Sequence, residues 1–156
     1  MARYNIPLES PTAIAADTGF LWLRPTATAG FKLRRITVGI QVAGGATPTN
    51  MQCQLRVQRT TNAGTTPGGA ITPTLQDINA RAANTVANTT YATPPTVVAV
   101  DLIKIGFNSQ AGADLPYEGD ELYYAQIGTT DGFAFLNGGN ALPANHKMVL
   151  TCVIEE

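Results

Sequence analysis

The clearest pattern in the chain is an alternation of apolar and polar residues with a period of two, which is typical of β-strands with one buried face. The three longest apolar rows are Ile36, Val38, Ile40 and Val42; Met51, Cys53, Leu55 and Val57; and Met148, Leu150, Cys152 and Ile154. We expect each row to face a core. Gly, Thr and Pro residues at 43–50 supply a connecting loop, so the first two segments are predicted to form a long hairpin.

Shorter segments at 18–25, 97–107, 120–128 and 132–136 have the same strand character. In the first, alternation places Phe20 and Trp22 on one face. In the second, Ala99 and Asp101 interrupt the apolar row that continues to Phe107, which indicates a kink or bulge. Clusters of Gly, Pro and Asn separate nearly all of these strands. Seven or eight short strands of this kind predict an all-β, single-domain β-sandwich that is jelly-roll-like.

Helical signals are confined to residues 75–88. Asp77 is a possible N-cap, and the alanines that follow are good helix formers. Thr85 and Val86 weaken the second half of the segment, so we expect at most one short helix of one or two turns.

The first 17 residues differ from the rest of the chain. Tyr4, Ile6 and Leu8 alternate as in a strand, but Pro7 and Pro11 argue against a central strand. Residues 1–17 are therefore predicted to be either an edge strand of their own domain or an arm that lies on another subunit. Residues 18–156 are predicted to be the β-sandwich domain.

A long uncharged stretch follows the strand at 51–59. The polar face of that strand carries Gln52, Gln54, Arg56 and Gln58, and in residues 60–77 the only charge is Asp77. We expect the Gln/Arg row to meet a neighbouring sheet or subunit, and the uncharged stretch to be a contact loop.

Composition favours an assembly component, although extracellular β modules have similar compositions. Only 13% of the 156 residues are charged and the net charge is −1, against about 25% charged residues in a typical soluble domain. Residues 1–60 carry a net +5 and residues 61–156 a net −6. The two halves can attract each other within one subunit or between neighbours. Because the net charge is small, electrostatic repulsion between copies is weak and opposes their contact little.

Several classes of partner are not expected. The basic residues form no run and do not interleave with aromatics, so no nucleic-acid site is predicted. No apolar segment reaches 18 residues and the N-terminus has no apolar signal region, so no membrane partner is predicted and synthesis in a cytoplasm is expected.

Catalytic and metal-binding patterns are also weak. His146 is the single histidine, and neither Ser10 nor Ser109 lies in a Gly-x-Ser-x-Gly elbow, so the sequence predicts a protein that is not an enzyme and has no cofactor. Cys53 and Cys152 fall on apolar rows and are predicted to be buried, with their pairing left open.

Acidic residues cluster at one place in the chain. The candidate carboxylate or calcium site comprises Asp114, Glu118, Asp120 and Glu121. It lacks the regular spacing of a calcium loop, so a solvated loop is favoured.

A family resemblance rests on the stretch "LRVQRTTNAGTTPGGAITPTLQD" and the Ala/Thr-rich stretch after it. The residues that carry it are Val57, Gln58, Arg59, Thr60, Thr61, Gly64, Thr65, Thr72, Pro73, Leu75 and Asp77. This combination resembles a group of small virion structural proteins of tailed bacteriophages, over roughly residues 34–96. The usual pattern has Pro after the Leu-Asp element, whereas this chain has Ile78.

The resemblance implies a non-enzymatic capsid decoration, or cement, protein. Such a protein forms homotrimers on the head surface, staples neighbouring subunits of the major capsid protein, and is located in the virion. Candidate subunit or capsid contacts are Tyr4, Ile6, Leu8, Gln54, Arg56, Gln58, Arg59, Thr65, Thr66 and Ile71. The alternative is a tail- or fibre-associated module that binds a host surface or carbohydrate, with Trp22 or Tyr124 as an exposed stacking aromatic.

Overall fold

The computed structural model describes residues 1–117, 123–128 and 130–156, and these residues form twelve β-strands and no helix. The strands are β1 (Arg3–Glu9), β2 (Thr18–Arg24), β3 (Phe31–Val42), β4 (Gln52–Thr60), β5 (Thr65–Ile71), β6 (Thr74–Leu75), β7 (Val86–Thr93), β8 (Val97–Asn108), β9 (Ala113–Pro116), β10 (Tyr123–Ala125), β11 (Gly132–Asn137) and β12 (His146–Glu155). The predicted all-β class is confirmed.

The strands form two antiparallel sheets that enclose one main core. Sheet A has the order β10-β3-β12-β1-β6, and β9 pairs with β3 as well. Sheet B has the order β5-β7-β2-β11-β4-β8. The core combines inward residues of both sheets, among them Tyr4, Ile36 and Leu150 from sheet A and Leu55 and Phe133 from sheet B. This arrangement confirms the predicted β-sandwich, whereas the jelly-roll order stays a prediction.

The longest apolar rows face the core as predicted. On β12, Met148, Leu150, Cys152 and Ile154 are all fully buried. On β4, Cys53, Leu55 and Val57 are buried with at most 4% of each residue exposed. The predicted irregularity in β8 is also confirmed, because its register with β4 shifts on both sides of Gln58.

The predicted hairpin between β3 and β4 is wrong. β3 pairs with β12, β9 and β10 in sheet A, whereas β4 pairs with β11 and β8 in sheet B. Residues 43–51 therefore cross from one sheet to the other. Alternation buries one face of each strand in the same core whether the two strands pair or lie opposite, so the pattern alone does not distinguish these arrangements.

The N-terminal segment contributes a strand to the sheet of its own domain. β1 pairs with β12 along its whole length, from Arg3 to Glu9, and its outer side pairs with β6 only at Tyr4 and Asn5. Pro7 is tolerated because its position lies beyond the reach of the two-residue strand β6.

A bulge in β2 separates two residues that alternation placed on one face. The register with β11 shifts between Phe135 and Leu136, so Gly19 and Leu21 have partners and Phe20 is the extra residue. Phe20 consequently packs in the main core, whereas Trp22 belongs to a small cluster on the outer face of sheet B.

Two further expectations are corrected between residues 60 and 88. The predicted contact loop contains β5 and β6, and the predicted helix at 75–88 is absent. Asp77 does accept a bond from the Asn79 amide at 3.0 Å, as an N-cap would, and the Ala80 amide bonds the Asp77 carbonyl at 3.0 Å. The turn does not continue into a helix, because the amides of Asn84 and Thr85 donate to the Glu156 side chain instead.

Candidate functional site

β5 and β7 form a two-stranded ribbon that crosses the outer face of sheet B. β7 pairs with β2 only through Val86, Ala87 and Asn88, and beyond them its described partners are in β5. β5 is an edge strand with every residue exposed or half-buried. Thr66 and Gly69 have φ of 46° and 56°, so the backbone of this edge strand is irregular at two places although its register with β7 does not shift.

The start of the ribbon is attached to the β7–β8 connection. The Asn62 side chain donates to Thr96 Oγ1 at 2.8 Å, and its Oδ1 accepts from the amides of Thr96 at 3.0 Å and Gly64 at 3.1 Å. A Cβ on Gly64 would lie 2.8 Å from Pro95 Cδ, and Gly64 has φ of 66°. This position therefore requires glycine, and the uncharged segment starts from a fixed turn.

Between the β7–β8 connection and sheet B lies an open, mainly apolar pocket of about 350 Å³. Its lining includes Trp22, Pro94, Pro95, Val97 and Leu136, and Asp17 supplies its charged side chain. Trp22 packs edge-on against Tyr91 of the ribbon, with ring centroids 5.4 Å apart.

Gly19 lies against the Trp22 ring, and a further contact holds Tyr91 in place. A Cβ at Gly19 would lie 2.6 Å from the Trp22 ring, so only glycine leaves room for the indole here. The Arg24 guanidinium lies 5.8 Å from the centre of the Tyr91 ring. Contacts from Arg24 to Tyr91 and from Tyr91 to Trp22 thus fix the ribbon to the sheet.

A charged network borders the pocket. Arg56 forms ion pairs with Asp17 and, at 2.8 Å, with Asp101, and Gln58 also donates to Asp101 at 2.8 Å. Burial alone raises the pKa of Asp101, but the hydrogen bonds from Arg56 and Gln58 and the charges of Arg56 and Lys104 together lower it below its ordinary value.

Ion pairs within one subunit account for much of the charge difference between the halves of the chain. The early residues Arg34, Arg35 and Arg59 pair with the late residues Glu155, Asp114 and Asp131 respectively. Arg34 hydrogen-bonds both oxygens of Glu155, which lowers the pKa of that buried carboxyl although burial opposes the shift. These opposite charges therefore lie side by side in one fold.

Four of the predicted contact or exposed residues are buried in their own domain. Tyr4 and Ile6 are fully buried in the core, Gln58 is 3% exposed, and Trp22 is 6% exposed. Tyr4 and Ile6 are covered because β1 belongs to the sheet. Gln58 and Trp22 are on the outer face of sheet B, but the Arg56 network and the ribbon cover them. Their assignment as surface contacts is corrected.

The other predicted contact residues reach the surface in different ways. Thr65, Thr66 and Tyr124 are exposed, whereas Leu8, Gln54, Arg56, Arg59 and Ile71 are half-buried. Arg56 and Arg59 both form ion pairs with carboxylates of the same chain. The structure brings Thr65, Thr66 and Ile71 together on β5, and Arg59 donates to the Tyr124 carbonyl at 3.1 Å. No sequence pattern identified the pocket residues Val97, Leu136 and Asp17, because they come from separate parts of the chain.

The potential nucleophiles and bases each have a structural partner. The Thr49 amide donates to His146 Nε2 at 3.1 Å, and His146 Nδ1 lies 3.0 Å from the Ala144 carbonyl. Ser10 Oγ donates to the Pro11 carbonyl at 2.8 Å, and Ser109 Oγ donates to the Thr49 carbonyl at 2.8 Å. In the described residues these groups hold loops in place.

Both thiols are buried, and the one described residue of the candidate calcium site is bound within the chain. Cys53 and Cys152 are free and buried, and burial raises the pKa of both. Asp114 is bound by Arg35 and Thr37, which lowers its pKa to about 2. Glu118, Asp120 and Glu121 lie outside the described residues. Among residues 1–117, 123–128 and 130–156, no group of three or more His, Cys, Asp or Glu side chains is placed to hold a metal ion.

A second surface feature is the turn that replaces the predicted helix. Ile78 occupies its second position and is 90% exposed. The turn is held at its start by the bond from the Gln76 amide to the Arg3 carbonyl at 3.0 Å, and beyond it Tyr4 donates to the Arg81 carbonyl at 2.9 Å. A large apolar side chain is thus presented to solvent on a braced turn.

No protein-family model, curated protein or solved structure matches this chain. The described residues also contain no helix long and apolar enough to cross a membrane.

Proposed function

We propose that the chain is a non-enzymatic structural subunit of a bacteriophage particle, a head decoration protein that forms homotrimers and binds the major capsid protein on the capsid surface. The proposal starts from the resemblance of residues 34–96 to small virion structural proteins. It places the protein in the virion, where it would staple neighbouring capsid subunits.

The observation that carries the proposal is the uncharged surface on the ribbon. The chain has no charged residue from 60 to 76, and Thr65, Thr66 and Pro67 of β5 are all exposed. Contact with a protein surface there buries no charge, and Thr and Pro lose little side-chain entropy on ordering. The ribbon is also fixed to sheet B through Tyr91 and to the β7–β8 connection through Asn62, so little backbone entropy is lost on binding.

The strand order supports a jelly-roll assignment as part of the same proposal. Without β5, β6, β7 and β10, sheet A has the order β9-β3-β12-β1 and sheet B the order β2-β11-β4-β8. Consecutive strands β1 to β4 alternate between the sheets, as do β11 and β12. Two interlocked Greek keys pair their strands in this way, and viral capsid domains use that architecture.

The direct test is to mix the purified protein with capsids that lack it and to image the particles. Wild-type protein is expected to occupy regular positions on the shell. A Thr65→Lys, Thr72→Lys double variant adds charge to β5 and to the residue that follows it, and is expected to bind at least tenfold more weakly. Thr47→Lys, an exposed threonine of the β3–β4 crossover, is the matched control and should bind like wild type. Absence of binding by the wild type at tens of micromolar would refute the proposal.

A second candidate, binding of a host carbohydrate, rests on Tyr124. Its residue is 42% exposed, beside Ile127 at 60%. Gly30 is the residue beneath it, since a Cβ there would lie 2.8 Å from the Tyr124 hydroxyl. An exposed phenol ring is a suitable surface for stacking on a sugar. Glycan-array binding that Tyr124→Ala abolishes would favour this function over capsid decoration.

A further inference from the structure

We infer that Arg24, on the outer face of sheet B, binds a carboxylate of the capsid protein. The inference rests on the proposed function and names a charged contact that would accompany the neutral ribbon. Three observations support it. The Arg24 guanidinium has no acidic partner among the described residues, one of its nitrogens is buried without an acceptor, and the Tyr91 ring holds it in place.

Arg24 differs from every other arginine of the chain in its lack of an ion pair. Arg3 and Arg34 pair with Glu155, Arg35 with Asp114, Arg56 with Asp17 and Asp101, Arg59 with Asp131, and Arg81 with Glu156. The Arg24 guanidinium forms no ion pair and no hydrogen bond with the residues that the structure describes. Its charge is therefore not used to hold the fold together.

Arg24 also carries a polar atom that the fold leaves unsatisfied. Its Nε is the one buried side-chain nitrogen or oxygen of the described residues that has no hydrogen-bond partner. Such an atom lowers stability, and departures of this kind are concentrated where a side chain serves a purpose other than folding. The residue as a whole is half-buried, and its terminal nitrogens are not among the buried unsatisfied atoms, so they are open to a partner.

The position of the guanidinium is fixed before binding. It lies 5.8 Å from the centre of the Tyr91 ring, and Tyr91 in turn packs against Trp22. An arginine held on an aromatic ring loses little side-chain entropy when it pairs with a carboxylate. Tyr91 is also the strand partner of Pro67. Arg24 therefore lies beside the exposed part of β5 that is proposed to contact the shell.

The charges on the outer face of sheet B favour a single carboxylate as the ligand. Arg56 pairs with Asp17 and Asp101, and Lys104 lies 4.0 Å from Asp101, so these four charges cancel. The ribbon adds no charge, which leaves Arg24 as the unbalanced charge of the described part of this face. One guanidinium matches one carboxylate through charge-assisted hydrogen bonds. Nucleic acid, by contrast, is bound through several phosphate contacts.

The experiment compares Arg24→Met with the wild type in binding to capsids that lack the protein and in thermal melting. Methionine keeps a long side chain beside Tyr91 but has no charge and no donor. We expect Arg24→Met to melt no lower than the wild type, because the unsatisfied nitrogen is removed, and to bind capsids at least tenfold more weakly. Lys147→Met, which removes a positive charge from β12 in sheet A, is the matched control and should bind like wild type.

Capsids with modified carboxylates identify the ligand. After conversion of the surface carboxylates to neutral amides with a carbodiimide and glycine amide, wild type and Arg24→Met should bind equally. A tenfold difference that persists on these capsids would overturn the assignment to a carboxylate. A change in the sedimented mass of Arg24→Met would place the carboxylate on a second copy of the chain and overturn the assignment to the capsid protein.

Two further outcomes separate this inference from the proposed function. If the wild type binds untreated capsids and Arg24→Met binds them equally well, or if Arg24→Met melts clearly lower than the wild type, Arg24 is not the binding residue and the proposed function stands. If the wild type itself does not bind, the proposed function and this inference both fail.

Discussion

The Glu156 side chain anchors the connection between β6 and β7, and Glu156→Ala measures what that anchor contributes to stability. Its carboxylate accepts bonds from the Thr85 amide and the Thr85 hydroxyl, each at 2.6 Å, and from the Asn84 amide at 3.0 Å. The carboxylate is almost completely buried, with 1% of the side chain exposed. The alanine variant therefore leaves several donors without a partner.

The magnitude follows from how far water can replace the lost carboxylate. A buried donor left without a partner costs about 1–3 kcal/mol. Thr85 is 5% exposed, so its amide and hydroxyl carry most of that penalty, whereas Asn84 is half-buried and can bind water. We expect Glu156→Ala to lower the free energy of unfolding by about 2–4 kcal/mol, a large part of the roughly 5–15 kcal/mol of a typical domain. Glu156→Gln keeps one acceptor oxygen and should lose about half as much.

The assay is urea unfolding followed by fluorescence, with Glu9→Ala as the control. Glu9 also pairs with a cation, Lys147 at 3.0 Å, but half of its side chain is exposed. An exposed pair contributes about 0–1 kcal/mol. Hydrogen exchange at the Thr85 amide adds a local readout and should accelerate in Glu156→Ala. If Glu156→Ala and Glu9→Ala have equal free energies of unfolding and Thr85 exchange is unchanged, the reasoning from buried donors is wrong.

Three further predictions concern the core, pH dependence and the ribbon. Leu150→Ala should destabilise the protein by about 2–5 kcal/mol in urea unfolding, because its side chain is fully buried; a loss below about 1 kcal/mol would contradict this. Arg35 and Thr37 hold the pKa of Asp114 at about 2, below its ordinary value of 3.8, so its contribution to stability is present above pH 3.8 and is lost as the pH falls towards 2. The stability difference between wild type and Asp114→Asn should therefore shrink over that range, and a constant difference would refute the assignment. Gly64→Ala should destabilise the ribbon turn by about 1–2 kcal/mol, because φ is 66° and Pro95 blocks the Cβ; unchanged thermal melting would contradict it.

Alternation predicted the buried rows well, because burial of one face is a local property of a strand. Leu55 on β4 and Leu150 on β12 are fully buried as expected. The same pattern did not reveal which sheet each strand joins, so β3 and β4 appeared to be a hairpin. It also failed at Phe20, because one extra residue in a bulge shifts every later side chain to the other face.

The candidate site was less predictable than the fold because its residues come from separate elements. Trp22, Pro95 and Leu136 meet only after the ribbon has crossed sheet B, and no spacing in the chain records that crossing. β5 was missed for a local reason. Thr66 and Gly69 adopt left-handed conformations, so the strand lacks the regular alternation by which strands are identified.

The irregularity of β5 also bears on the contact proposed for the ribbon. An exposed, regular edge strand without charges would pair indiscriminately with other strands, and proteins usually prevent this with lysines, prolines or bulges. β5 has no charge, but it has Pro67, which lacks an amide hydrogen, and left-handed residues at Thr66 and Gly69. Addition of a neighbouring strand along this edge is therefore disfavoured. In the proposed capsid contact the ribbon would therefore use side chains and shape rather than added strand pairing.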